Sequence, residues 1–339
     1  MPLIMKVDLD EINSLLDELP KSKQHPMLRP EYVIAMSNEN ANAQAEFFLY
    51  KENNAFYYHP FILTRTIVSS VIINDIESAY GFGGPISSSA DVKFLHRAND
   101  AYNAYIEKRD ICAEFIRFSP VLKNSAYFVG DVEFNRNVVV VDLQDEDYMS
   151  NIQPRTRSAI RKSKRQGIDI KNNKSDVCIE SFIALYDTTM KRLSADDFYL
   201  FKPDTIRKLI NLQSCTLITA HYEGVIIAAA TFFHEGNVME YHLSASSEVG
   251  FKLNATKAII ANAMGSAYEK GCKYLHLGGG LTGSETDSLF LFKSLFSKTK
   301  SEYLIGKKIY KKKFYENQKR ELITSGIVNA ADNRLIFYR

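Results

Sequence analysis

Lys293 ends a segment whose residue types could do chemistry. A short apolar strand over Cys272–Leu277 runs into Gly278, Gly279 and Gly280, then a polar loop, then Asp287 and the pair Phe292-Lys293. Glycines at a strand end open dihedrals closed to other residues and let a ligand approach the main chain. A lysine beside them suits acyl transfer, which passes through an oxyanion that a fixed cation in a water-poor site stabilises by several kcal/mol. The same lysine would equally serve as a surface residue with its stem among Leu289, Phe290, Phe292 and Phe296. The glycines either cradle an acyl oxygen or phosphate on backbone N–H groups or only let the strand bend. Asp287 either orients the lysine or an incoming amine, or caps the helix that follows.

Tyr241 and His242 end another strand expected to point into the same cleft. A neutral imidazole near pH 7 suits proton removal from an ammonium nucleophile, and Glu240, Glu114 and Tyr80 are its rivals for base duty. The run Arg155–Arg165, if helical, sets Arg157, Arg161 and Lys164 on one face, a pattern suited to phosphates. Charge runs are by default solvated, but this one holds many bases and no acids. Tyr80-Gly-Phe-Gly-Gly-Pro85 is a second glycine loop, with Gly83 and Gly84 at its centre. It is no dinucleotide fingerprint, since Pro85 follows and no helix cap does.

These residues must be held by elements that the periodicity outlines. Helices are expected near 9–19, 91–108, 176–192, 204–213 and 255–270, the last with Asn254 as N-cap and Gly271 just past its end. Strands are expected at 45–51, 55–64, 66–73, 112–118, 138–143, 215–222, 225–233, 238–244 and 272–277. Each half thus reads as a meander, a helix and a further strand. That order predicts an α+β (mixed α/β) fold with a boundary near 144–152, where acidic sequence and Pro154 interrupt the apolar pattern.

The chain has 339 residues, 45% of them apolar, and 42 basic against 40 acidic side chains, so nothing draws it as a whole to DNA. Four scattered cysteines with no CxxC pair read as reduced core thiols in a reducing cytoplasm, with no zinc site. The acidic, briefly apolar start is unlike a signal peptide, and no run reaches bilayer length; peripheral membrane contact is left open.

Taken in order, the basic helix, the meander ending Tyr241-His-Leu-Ser244, the helix, the triple glycine and Asp287-Ser-Leu-Phe-x-Phe-Lys-x-x-Phe296 resemble Fem-type (FemABX-like) peptidyl and aminoacyl transferases. They are similar too to the bacterial GNAT-like acyltransferases related to them. The resemblance covers roughly residues 45–315. It implies two tandem GNAT-like domains: 1–146, and 147–314 carrying the main site, with 315–339 returning to the first. It implies amide formation on an amine of a cell-envelope precursor, an amino-sugar nucleotide or a peptidoglycan peptide. It further implies no tightly bound cofactor, with aminoacyl-tRNA or an acyl-CoA thioester as the cosubstrate. Phe292-Lys293 matches the family's Phe-Lys, and Arg157 and Arg161 its basic helix. In catalysis the expected residues are Lys293, His242 and Asp287. Arg157, Arg161, Tyr241, Gly278, Gly279, Gly280, Phe292, Tyr80, Gly83 and Gly84 are expected to bind substrate. Two family features are missing. Ser119-Pro120 replaces an acidic residue before proline, and Ser247–Lys252 is no coenzyme A pyrophosphate loop. A tRNA- or RNA-binding protein of the same fold without catalysis is the alternative; its mark would be steeply salt-dependent binding.

Overall fold

The computed structural model describes residues 8–339; the first seven, on which part of the leader judgement rests, lie outside it. Two compact units emerge. The first comprises residues up to 23, 27–135 and 303–339, and the second 24–26 and 136–302. Apart from the short stretch 24–26, the chain changes unit inside two strands, at 135/136 and 302/303, whereas the sequence reading places the changeover at 146/147 and again near 314.

In the first unit α1 (Leu9–Asp17) and α2 (Pro30–Ser37) precede β1 (Ala43–Glu52), β2 (Ala55–Val68), β3 (Val71–Glu77) and the short β4 (Ile86–Ser87). Next come α3 (Val92–Lys108), β5 (Ile111–Arg117) and the start of β6 (Asp131–Asp142). The end of β12 (Lys300–Ile309) and α10 (Lys312–Thr324) complete the unit. The strands lie in the order β1-β2-β3-β5-β12, with β3 and β5 parallel. Phe94, Ala98, Tyr102, Tyr105 and Ile106 recur at helical spacing along α3 and bury against Phe48, Phe61 and Ile76. Tyr315, Leu322, Phe337 and Tyr338 of the C-terminal segment pack with Ile73, Cys112 and Ala113 of the same unit. One expected break is absent. β2 does not end near residue 65: Arg65 pairs with Asn74, and the turn is Ser69-Ser70, both at positive φ. Two serines in left-handed conformation carry no local turn signal of the glycine or asparagine kind.

The second unit holds the rest of β6, α4 (Pro154–Arg165), β7 (Asp169–Asn172), α5 (Asp176–Arg192), α6 (Pro203–Asn211) and the meander β8 (Cys215–Tyr222), β9 (Val225–Glu235) and β10 (Val238–Ser246). α7 (Glu248–Lys252), α8 (Ala255–Glu269), β11 (Tyr274–Gly278) and α9 (Ser288–Lys293) follow. The strand order is β6-β11-β10-β9-β8-β7, antiparallel but for β10 and β11. The alanine-rich face of α8 packs on one side of this sheet with Ile218, Ala228, Ala230, Phe232 and Leu275. α5 and α6 lie over β8–β10. The basic run is helical as expected, and Pro154 at its first turn fixes the start. All four cysteines are free and buried.

Candidate active site

β10 and β11 pair at three positions only: Val238 with Tyr274, Met239 with Leu275, and Glu240 with His276. Past these, each strand leans to its other neighbour. β10 has an irregularity against β9 between Tyr241 and Ser244, and β11 one against β6 between His276 and Gly278. Bulges bend and twist the strand that carries them, so the two strands part, with Tyr241 on one lip and Gly278 on the other.

Each of the three glycines makes room for one charged side chain. Gly278 sits at φ +78, where a Cβ would lie 3.2 Å from Nζ of Lys293. A Cβ on Gly279 would come within 3.0 Å of Cδ of Arg136, and one on Gly280 would overlap the carboxylate of Asp287. Lysine, arginine and aspartate therefore reach the same few peptide groups because glycine leaves the space.

Asp287 caps α9. Its Oδ1 accepts the N–H groups of Leu289 and Phe290 at 2.9 and 3.1 Å. Its Oδ2 accepts those of Leu281 and Thr282 at 3.1 and 3.0 Å, and the Thr282 hydroxyl at 3.3 Å. Burial pushes this carboxyl up, but the backbone donors outweigh it and hold it below the ordinary carboxylate range. Asp287 is thus the cap of the helix that carries Lys293. α9 turns Phe290 and Lys293 inward, and Lys293 is only 8% exposed. Its ammonium donates to the Gly279 carbonyl at 2.7 Å and lies 5.8 Å from the centre of the Tyr241 ring. Burial pulls the ammonium down, Asp287 pushes it back up and Arg136 pulls it down again, to about 8. At neutral pH it is a cation close to losing its proton. Burial also pushes the Tyr241 phenol up to about 12, so it stays protonated.

The strands' parting thus brings together Lys293, Asp287, Tyr241 and Gly278–Gly280, with Phe292 edge-on to Phe296 beside them at 5.8 Å. His242 stands elsewhere. Tyr241 packs on Phe232 and His242 on the next residue, Phe233, so the two side chains leave opposite faces of the sheet. Burial pulls the His242 imidazole down to about 3 even though Glu240 nearby pushes it up. Arg157 reaches the Ser150 carbonyl at 3.2 Å, and Arg161 is exposed with Ser158 as a neighbour. Their helix is tied to the turn that follows α9, since the Gln153 N–H at its start donates to the Leu295 carbonyl at 2.9 Å. Tyr80, Gly83 and Gly84 belong to the first unit. There the Tyr80 carbonyl accepts the Tyr32 hydroxyl, Gly83 donates to the Arg117 carbonyl, and a side chain on Gly84 would meet Ile116 and Phe118.

Sequence reasoning missed Arg136, an isolated arginine between two asparagines. It also missed what surrounds Glu240. That buried carboxylate accepts from His276 at 2.6 Å and from His25 at 3.0 Å. Burial pushes it up, yet the two imidazoles pull it down to about 2. The cluster grips the last paired position before the strands part. The Glu240–His276 contact was in principle readable from strand register; His25, 215 residues from Glu240, was not. Among the described residues no three His, Cys, Asp or Glu side chains are grouped to hold a metal. No helix there is long and apolar enough to cross a membrane.

No protein-family model matches the chain. An alanyltransferase of Weissella viridescens, UDP-N-acetylmuramoylpentapeptide-lysine N(6)-alanyltransferase, is 24% identical over 256 residues, 68% of this chain and 75% of that protein. The crystal structure of FemX superposes with a TM-score of 0.70 at 13% identity, covering 92% of this chain and 98% of that one. L-PGS from Bacillus licheniformis gives 0.55 at 14% identity, over 96% and 98%. The resemblance read from the sequence holds for the fold: along nearly its whole length the chain has the fold of FemX.

Proposed function

We infer that this protein transfers an aminoacyl group from an activated ester to an amine of a cell-envelope precursor. The observation that carries the reading is the buried Lys293 ammonium, held against glycine backbone where β10 and β11 part. The acceptor's neutral amine attacks the acyl carbon, forming a C–N bond and placing negative charge on the carbonyl oxygen. Lys293, one of whose three donors is taken by Gly279, offers the others to that oxygen. The intermediate then collapses, the bond to the leaving alkoxide (or thiolate) breaks, and that group takes up the proton the amine sheds. Gly278–Gly280 shape the acyl site, Asp287 fixes α9 and with it Lys293, and Tyr241 and Phe292 wall the site. Base duty passes away from His242, because an imidazole near 3 has little drive to take a proton from an ammonium. We place Arg157 and Arg161 on phosphates of a nucleotide-linked acceptor or of tRNA. Tyr80 remains a candidate acceptor contact. Packing within the first unit accounts for Gly83 and Gly84.

We take aminoacyl-tRNA, ahead of acyl-CoA, as the donor and the cytoplasm as the place of reaction; the alanyl group in the relative's name supports an aminoacyl donor. The test is to incubate pure protein with alanyl-tRNA or acetyl-CoA and a UDP-linked muramoyl-pentapeptide, then read the amide product by mass spectrometry. Alanine transfer that falls about 10²–10³-fold in Lys293→Ala supports the reading. Transfer from acetyl-CoA alone, or full turnover without the lysine, sinks it.

A further inference from the structure

Three successive carbonyls converge on one guanidinium nitrogen. Nη1 of Arg136 donates to Gly280, Leu281 and Thr282 at 2.8, 3.0 and 3.3 Å. On the same loop the N–H groups of Leu281 and Thr282 go to Asp287, whose other oxygen caps the helix that carries Lys293. Lys293 in turn donates to Gly279, against which the stem of Arg136 lies. The circuit closes: arginine, loop carbonyls, loop N–H groups, aspartate, helix, lysine, glycine.

We propose that Arg136 is a positioning residue of this site, clamping the 280–282 carbonyls so that the loop's N–H groups face Asp287 and the Lys293 ammonium stays at Gly279. The inference rests on the reading of Lys293 given above. Two features make arginine the fitting residue. A planar guanidinium whose stem lies against Gly279 holds its donor in one fixed orientation toward the carbonyls, whereas an ammonium on a flexible stem is not so held. Its fixed charge also stands close enough to Lys293 to weaken that ammonium's hold on its proton, opposing Asp287. Arg136 thereby acts on the reaction twice: through where the ammonium sits, and through the pH at which it is lost.

The test needs a readout that turnover alone does not give. Competitive labelling of amines with acetic anhydride across pH, read by mass spectrometry at the Lys293 peptide, gives the lysine's pKa without any substrate. In Arg136→Met that pKa is expected to rise by about half a unit or more, because a like charge is gone. Turnover should fall about tenfold, mostly in kcat, as a misplaced ammonium loses contact with the transition state. Arg136→Lys should keep the wild-type titration but not the turnover, since it keeps the charge and loses the rigid planar donor that holds the loop carbonyls. A Lys293 titration unchanged in Arg136→Met, with an unaltered melting temperature, overturns the proposal, as does wild-type turnover in Arg136→Lys. If Arg136→Met does not fold, the Arg136→Lys result decides between the same two outcomes. Because Lys293→Ala is assayed separately, a failure here leaves the assignment of Lys293 standing, and a failure there is seen independently.

Discussion

Both units thread a three-stranded meander, then a helix, then a strand parallel to the meander's last, yet they treat that parallel pair in opposite ways. In the second unit β10 and β11 part after Glu240 and His276, and glycine, lysine, arginine and aspartate fill the place where they separate. In the first, the chain beyond β3 stays stitched to β5. Ser78 donates to the Phe115 carbonyl, Arg117 grips Glu77 and the Ser78 carbonyl, and Gly83 bridges to β5's end. Asn124 then ties Gly83 and Pro85 together from a neighbouring turn. The same order of elements gives a gap in one unit and a seam in the other, and the difference lies in a few side-chain and backbone hydrogen bonds just past the parallel pair.

Each unit also buries a glutamate on its parallel pair, and the two carboxyls are shifted in opposite directions. Glu114 lies among the Tyr102 and Tyr310 hydroxyls, 3.6 Å from a His59 that burial holds near 3. Burial pushes Glu114 up to about 7, although the two hydroxyls pull it down. Glu240, flanked by imidazoles instead of phenols, is pulled down to about 2. A hydroxyl donates a hydrogen bond without bringing charge, whereas an imidazole can carry the compensating proton; the partner type sets which form of the acid is buried.

The contrast can be broken by mutation. Glu240→Gln should be the most damaging, because it leaves the imidazoles without their anion: about 3 kcal/mol or more of stability, read by urea unfolding at pH 7. Lys293→Ala should leave stability nearly intact and lower turnover about 10²–10³-fold. Glu114→Gln should do the reverse of Glu240→Gln and stabilise the protein at pH 8, by about 1–3 kcal/mol. The sign follows from linkage. A carboxyl raised on folding binds its proton more tightly in the native state, so its contribution falls as pH rises from about 4.5 to about 7. The gain from Glu114→Gln should therefore vanish below pH 4. Glu240 has the opposite sign: its contribution is full above the unfolded value and is lost as pH falls toward 2. Arg161→Ala should matter least, raising KM a few-fold at low salt and less at high salt, as expected of an exposed charge.

Much of this was legible along the chain because it is local. The helical spacing along α3, the glycine after α8, the cap at Asp287 and the lysine one short helix later all lie within a few residues of their signals. The turn at Ser69-Ser70 was missed because β2 keeps its pattern past the expected stop, and serine seldom marks a left-handed turn. What joins the site is non-local. Arg136 meets the loop 144–146 positions on, and His25 meets Glu240 across 215. No periodicity or spacing encodes such meetings; strand register and packing do.

The central claim is that a charged Lys293 stabilises the reacting oxyanion, and the alkaline limb of the pH–rate profile tests it most directly. With the ammonium titrating at about 8, kcat/KM for aminoacyl transfer should fall above that pH in the wild type, and in Lys293→Arg whatever turnover remains should stay level past pH 9. A wild-type profile flat through pH 9.5, or the same fall in Lys293→Arg, would contradict the account.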